Sequence, residues 1–134
     1  MADIVHTEHE MLVDQLFRRS CEILGMSHFE WRPLRRRVRG RGKSRTIALG
    51  YTKIGTNLIT LDLYTPRTMV PRKIDAILRV VCHELAHHQA PPKVIRRWFR
   101  IVRRIHHPEF WMQCKQNIAC LQQDDILKVY FTES

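Results

Sequence analysis

Between Val70 and Gln89 the chain reads VPRKIDAILRVVCHELAHHQ, and its apolar residues recur at helical spacing. Ile74, Ile77, Leu78, Val81 and Leu85 make one stripe, which predicts a helix buried along that face. Pro71 suits its first turn, and Pro91-Pro92 cannot continue it. A second helix is predicted from about Glu8 to Leu24. There the capping-box pattern Thr7-Glu8-His9-Glu10 precedes Leu12, Val13, Leu16, Phe17, Ile23 and Leu24, and Gly25 provides the stop. After Pro92, Val94, Ile95, Trp98, Phe99, Ile101, Val102 and Ile105 fall on one side of a helical projection. Lys93, Arg96, Arg97, Arg100, Arg103 and Arg104 fall on the other, so this segment reads as a basic amphipathic helix. A last helix opens at Pro108, with Phe110, Trp111, Cys114 and Ile118 following at helical spacing.

Other stretches have strand character. Phe29 to Val38 reads as a short strand with Trp31 as its core residue. Thr46 to Ile54 and Asn57 to Tyr64 are rich in β-branched and aromatic residues and flank the turn signal Gly55-Thr56, which predicts a hairpin. Ile126 to Phe131 reads as a short terminal strand or a docked extended tail. The expected fold is α+β: an N-terminal helix, a small, mostly antiparallel sheet of about three or four strands, the helix around residue 80, the basic amphipathic helix and a C-terminal helix. With 134 residues and 44% apolar content, residues 1-134 are expected to form one domain with a core that needs no staples.

Composition adds the kind of partner and compartment. No apolar run reaches transmembrane length, and the polar, acidic start lacks a secretory pattern. Cys21, Cys82, Cys114 and Cys120 form no C-x-x-C pair and read as reduced thiols, so a cytoplasmic location is expected. The formal net charge of +10 is unevenly spread. No acid lies between Glu30 and Asp62, where Arg32, Arg35, Arg36, Arg37, Arg39, Arg41, Lys43, Arg45 and Lys53 fall. None lies between Glu84 and Glu109 either. Two basic zones on a small domain point to a polyanionic partner, DNA or RNA, and Arg35, Arg36, Arg37, Arg39, Arg41 and Lys43 are the candidate contacts.

The chemistry concentrates in His83-Glu84-Leu85-Ala86-His87. On a helix, residues i and i+4 stand one above the other, so His83 and His87 can each give a ring nitrogen to one Zn²⁺. Glu84 points to the flank, where it reaches a metal-held water and can serve as general base. A catalytic zinc usually takes three protein ligands. Three residues compete for the third place: His106, His107 and Glu109. Cys82 is turned about 100° from His83 and is not expected to bind the metal. His88 is turned by the same angle from His87, which makes it a surface or supporting residue.

From the hairpin onward the chain resembles the SprT-like and YgjP/WLM-type zinc metallopeptidases. The similarity rests on Asn57-Leu58-Ile59-Thr60-Leu61, on Val81-Cys82-His83-Glu84-Leu85-Ala86-His87, and on His106-His107-Pro108-Glu109-Phe110-Trp111. It covers roughly residues 45–115 and is specific at the two histidine motifs. The resemblance implies His83, His87 and His106 as zinc ligands, Glu84 as the catalytic residue, and a protein or peptide substrate. It also implies recruitment by nucleic acid, with hydrolysis of the proteins attached to it. The segment between the second and third ligands departs from the family pattern, and no four-cysteine zinc ribbon follows. The alternative expectation is a non-catalytic, zinc-containing nucleic-acid-binding module.

Overall fold

The computed structural model describes residues 7–34, 49–65 and 68–131. Helix α1 spans Thr7–Leu24, strand β1 Glu30–Pro33, strand β2 Gly50–Thr52 and strand β3 Leu58–Leu61. Helix α2 spans Ile74–Gln89, strand β4 Lys93–Arg97 and strand β5 Arg100–Arg104. Helix α3 spans Pro108–Gln122, and α4 is a single turn at Lys128–Phe131. The fold is α+β. No helix is long and apolar enough to cross a membrane among the described residues.

β3 is the centre of a three-stranded sheet of order β1-β3-β2. Its Leu-Ile-Thr-Leu run has Ile59, Thr60 and Leu61 buried, as befits a strand covered on both faces. The hairpin expected around Gly55-Thr56 is present, with Tyr51 opposite Thr60 in antiparallel register. β1 pairs in parallel with β3, Trp31 opposite Ile59, so the sheet is mixed. Trp31 is half-buried. It packs against Phe17 and donates from Nε1 to Asp14 Oδ1 at 2.9 Å, tying the sheet to α1.

α2 lies between two apolar layers. Ile77, Val81 and Leu85 face a core shared with Val13, Phe17, Phe29, Ile59, Leu61 and Tyr64. Leu78 and Cys82 face a second core with Leu16, Leu121 and Leu127. Gly50 permits the close approach of β2. A Cβ there would stand 2.8 Å from Val80 Cγ1 and 2.9 Å from Thr60 O, below any real contact distance. The start of α2 is fixed by a buried ion pair, Arg72 Nη2 to Asp62 Oδ2 at 3.0 Å.

Three local expectations need correction. Lys93 to Arg104 is not a helix but an antiparallel ribbon, with Ile95 opposite Val102 and a two-residue connection, Trp98-Phe99. Val94, Ile95, Ile101 and Val102 are β-branched and suit strands, and among the described residues no helix or strand packs on the segment to take up a helical stripe. The tail at Ile126–Phe131 is not a strand: Asp124 accepts from the Ile126 and Leu127 amides and starts a helical turn, and Leu127 plugs the second core. α2 starts at Ile74 with Lys73 as N-cap, while Pro71 sits before it in a bridge to Tyr64. The expected contacts Arg35, Arg36, Arg37, Arg39, Arg41 and Lys43 lie outside the described residues, as does the Val38 end of the first expected strand.

Candidate metal centre

His83 and His87 project one turn apart from α2, and His106 reaches them from the loop before α3. One ligand atom from each lies within 4.8 Å of the other two, so the three can hold a metal ion. The His83 and His87 rings are 4.9 Å apart between centroids, and His106 stands 5.3 Å and 4.9 Å from them. Burial and the neighbouring imidazoles lower the pKa of His87 to about 4 and that of His83 below its ordinary value. Neutral imidazoles keep the lone pairs a metal requires.

The competition for the third position is decided by what the other two candidates already do. His107 is buried at the N-cap of α3, where its Nδ1 accepts from the Phe110 amide at 3.3 Å. Its Nε2 faces Pro91 O at 2.9 Å, and with Nδ1 accepting, Nε2 carries the proton and donates. Neither nitrogen of His107 is left for a metal. Glu109 is exposed and forms an ion pair with Lys93. Cys82 is fully buried in the second core, on another face of α2 from the histidines. The thiols are all free, and Cys21, Cys82 and Cys114 are buried.

Glu84 is buried beside the triad, with Oε2 4.0 Å from His83 Nε2. Removal from water raises its carboxyl pKa to about 7. His88 faces the sheet instead. The Thr52 hydroxyl donates to Leu58 O at 2.9 Å, so His88 Nε2 donates to Thr52 Oγ1 at 2.7 Å and fastens β2 to α2.

Phe110 and Asn117 carry more of the site than their spacing alone suggests. Phe110 is fully buried. It stacks on His87 at 4.4 Å and meets His83 and His106 edge-on at 5.0 Å and 4.9 Å. Trp111 stacks on His106 at 5.4 Å. These rings set the orientation of all three imidazoles. Asn117, buried in α3, donates to Cys82 O at 3.1 Å and to Gln89 Oε1 at 2.7 Å, and accepts from Gln113 at 3.0 Å. It locks α3 to α2 directly behind His83. The spacing of α3 identifies Phe110 as a core residue. A polar residue such as Asn117 gives no sequence signal of burial.

The triad opens into a cleft of about 430 Å³ bounded by β2 and the segment after it, by Glu84, and by Pro92, Arg103 and Ile105. Among the described residues β2 pairs with β3 alone, and its Gly50, Tyr51 and Thr52 line this cleft. Tyr64 is buried in the first core and Tyr130 packs against the second. The chain was compared with protein-family models, curated proteins and solved structures, and no match was found in any of the three.

Proposed function

We propose that the protein is a zinc-dependent peptidase of the SprT-like kind. The reading rests on one observation: three histidines, two from α2 and one from the loop before α3, converge beside a buried glutamate, at the floor of a cleft with a strand along its wall. The donor set fits zinc, which accepts imidazole nitrogen readily and commonly takes three protein ligands in catalytic sites. Bound there by His83, His87 and His106, zinc would supply a Lewis acid for the scissile carbonyl and acidify the attacking water.

The chain's own residues supply the rest. Glu84, held apart from bulk water, takes the proton of the attacking water and passes it to the leaving amine. Phe110 and Trp111 keep the imidazoles from rotating away. An extended substrate segment docks along β2, whose outer edge is unpaired among the described residues, and presents its backbone to the triad. Arg103 and Lys53 at the cleft supply positive charge for the developing oxyanion. The open cleft suits unstructured segments of protein.

The alternative, a structural metal in a nucleic-acid-binding module, is disfavoured by Glu84. Burying a carboxyl costs stability, and a metal held only for structure has no use for it. The test is Glu84→Gln, which keeps shape and removes the base. Metal content should remain at one equivalent, while casein hydrolysis falls by about 10²–10⁴-fold. Undiminished hydrolysis would remove Glu84 from the mechanism. In the same assay His106→Ala should abolish stoichiometric zinc, and Glu109→Ala should keep it. The reverse result would reassign the third ligand.

A further inference from the structure

The β4–β5 ribbon carries apolar surface with no partner. Trp98 is 90% exposed and Phe99 101%, and Ile101 and Val94 stand at 70% and 68%. Among the described residues neither strand packs on another helix or strand; its side-chain tie to the body is the Lys93–Glu109 ion pair at the base. A two-stranded hairpin alone is marginally stable in water. Two further features make this one worse. Its register sets Lys93 opposite Arg104, and like charges directly opposite are destabilising. Trp98 holds φ at 58°, in the left-handed region, at the first position of a two-residue turn where glycine is preferred. An exposed tryptophan kept in a glycine position is local backbone strain of the kind that gathers at functional sites.

We propose that this ribbon grips single-stranded nucleic acid: the Trp98-Phe99 tip stacks on unpaired bases, and Arg96, Arg100, Arg103 and Arg104 hold the flanking phosphates. Charge complementarity identifies the partner, because no acidic residue lies between Glu84 and Glu109. Arginine also matches phosphate with a planar fork and stacks on bases. Unpaired bases are required because a duplex hides the faces that two adjacent aromatics can cover. A lipid surface would need the apolar side chains segregated on one face. Here Val94 stands opposite Arg103, and Arg96 opposite Ile101, so the same face alternates apolar and cationic. Arg103, near the base of the ribbon, also lines the metal cleft, so a strand held on the ribbon ends beside that cleft. The proposal stands apart from the peptidase reading, since binding needs neither metal nor Glu84.

The experiment is fluorescence anisotropy on the full-length protein with a labelled oligothymidylate, the corresponding blunt duplex, and phosphatidylcholine/phosphatidylserine vesicles. The decisive variant is Trp98→Gly, which removes the ring and also relieves the backbone, so its melting temperature should not fall. Its affinity for the single strand should drop about 5- to 100-fold with little change for the duplex. Arg96→Ala combined with Arg100→Ala should reduce the salt dependence of log K by about 1.4. The proposal is overturned if Trp98→Gly binds the single strand as tightly as the parent. It is equally overturned if the parent prefers duplex, prefers anionic vesicles, or binds no oligonucleotide at low salt.

Discussion

Helix α2 and the β4–β5 ribbon are joined by a few residues yet live under opposite physical conditions. α2 is covered by the sheet on one side and by α1, α3 and α4 on the other, and its functional groups are aimed by buried neighbours. Among the described residues the ribbon packs on no other helix or strand, and most of its described side chains stand in water. Under the two proposals above, the contrast separates two ways of recognising a ligand. A metal needs three donors fixed before it arrives, so its site belongs where packing leaves no choice of rotamer. A flexible polymer offers no fixed shape, so the surface that meets it gains from adaptable charges and exposed rings.

The comparison can be tested first where its two halves differ most. Phe110→Ala should cost about 3–5 kcal/mol of stability, because a fully buried aromatic leaves a cavity behind three imidazoles. Trp98→Gly should cost nothing. Urea denaturation of the two variants reads the difference, and similar losses would mean the ribbon is part of the cooperative core. Asn117→Ala should cost about 1–3 kcal/mol by leaving Cys82 O and Gln89 short of a partner inside the protein. His107→Ala should cost about 1–2 kcal/mol through the lost cap. It should also weaken metal binding about 10–100-fold, measured by competition with a chelator, because His106 loses its anchored neighbour. Full retention of affinity would show that His106 finds its place unaided. The smallest effect belongs to Lys93→Ala, below about 1 kcal/mol, since its pair with Glu109 is exposed. A larger loss would show that the ribbon base is rigidly joined to α3.

The legible part of the fold was the part with local signals. α1, the body of α2 and the start of α3 follow from apolar spacing, caps and prolines. The β2–β3 hairpin follows from its turn. Lys93 to Arg104 has the same periodic signal, and there it misleads. Val94-Ile95 and Ile101-Val102 project onto one helical face, yet in the ribbon Ile95 stands opposite Val102 while Val94 and Ile101 stand opposite Arg103 and Arg96. The arbitrating facts were β-branched crowding and the absence of any surface to bury against, and the second is a property of the whole fold. The tail was misread because a short apolar run suits a strand or a plugged helical turn equally, and Asp124 chose the turn. For the metal centre, His83, Glu84 and His87 were legible from one helix turn. His106, His107 and Glu109 could be ranked only by resemblance, because what separates them is the hydrogen bonding of His107 across the chain to Pro91.

That last contact makes the molecule modular. By joining residue 91 to residue 107, it closes a ring in the chain at the neck of the excursion, and everything between is a cassette held by its two ends. A loop of another length or sequence spliced between Pro91 and His106 would leave the third imidazole where it stands. The excursion's tip can therefore be exchanged while the three imidazoles stay together, although its base, with Pro92, Arg103 and Ile105, belongs to the cleft wall.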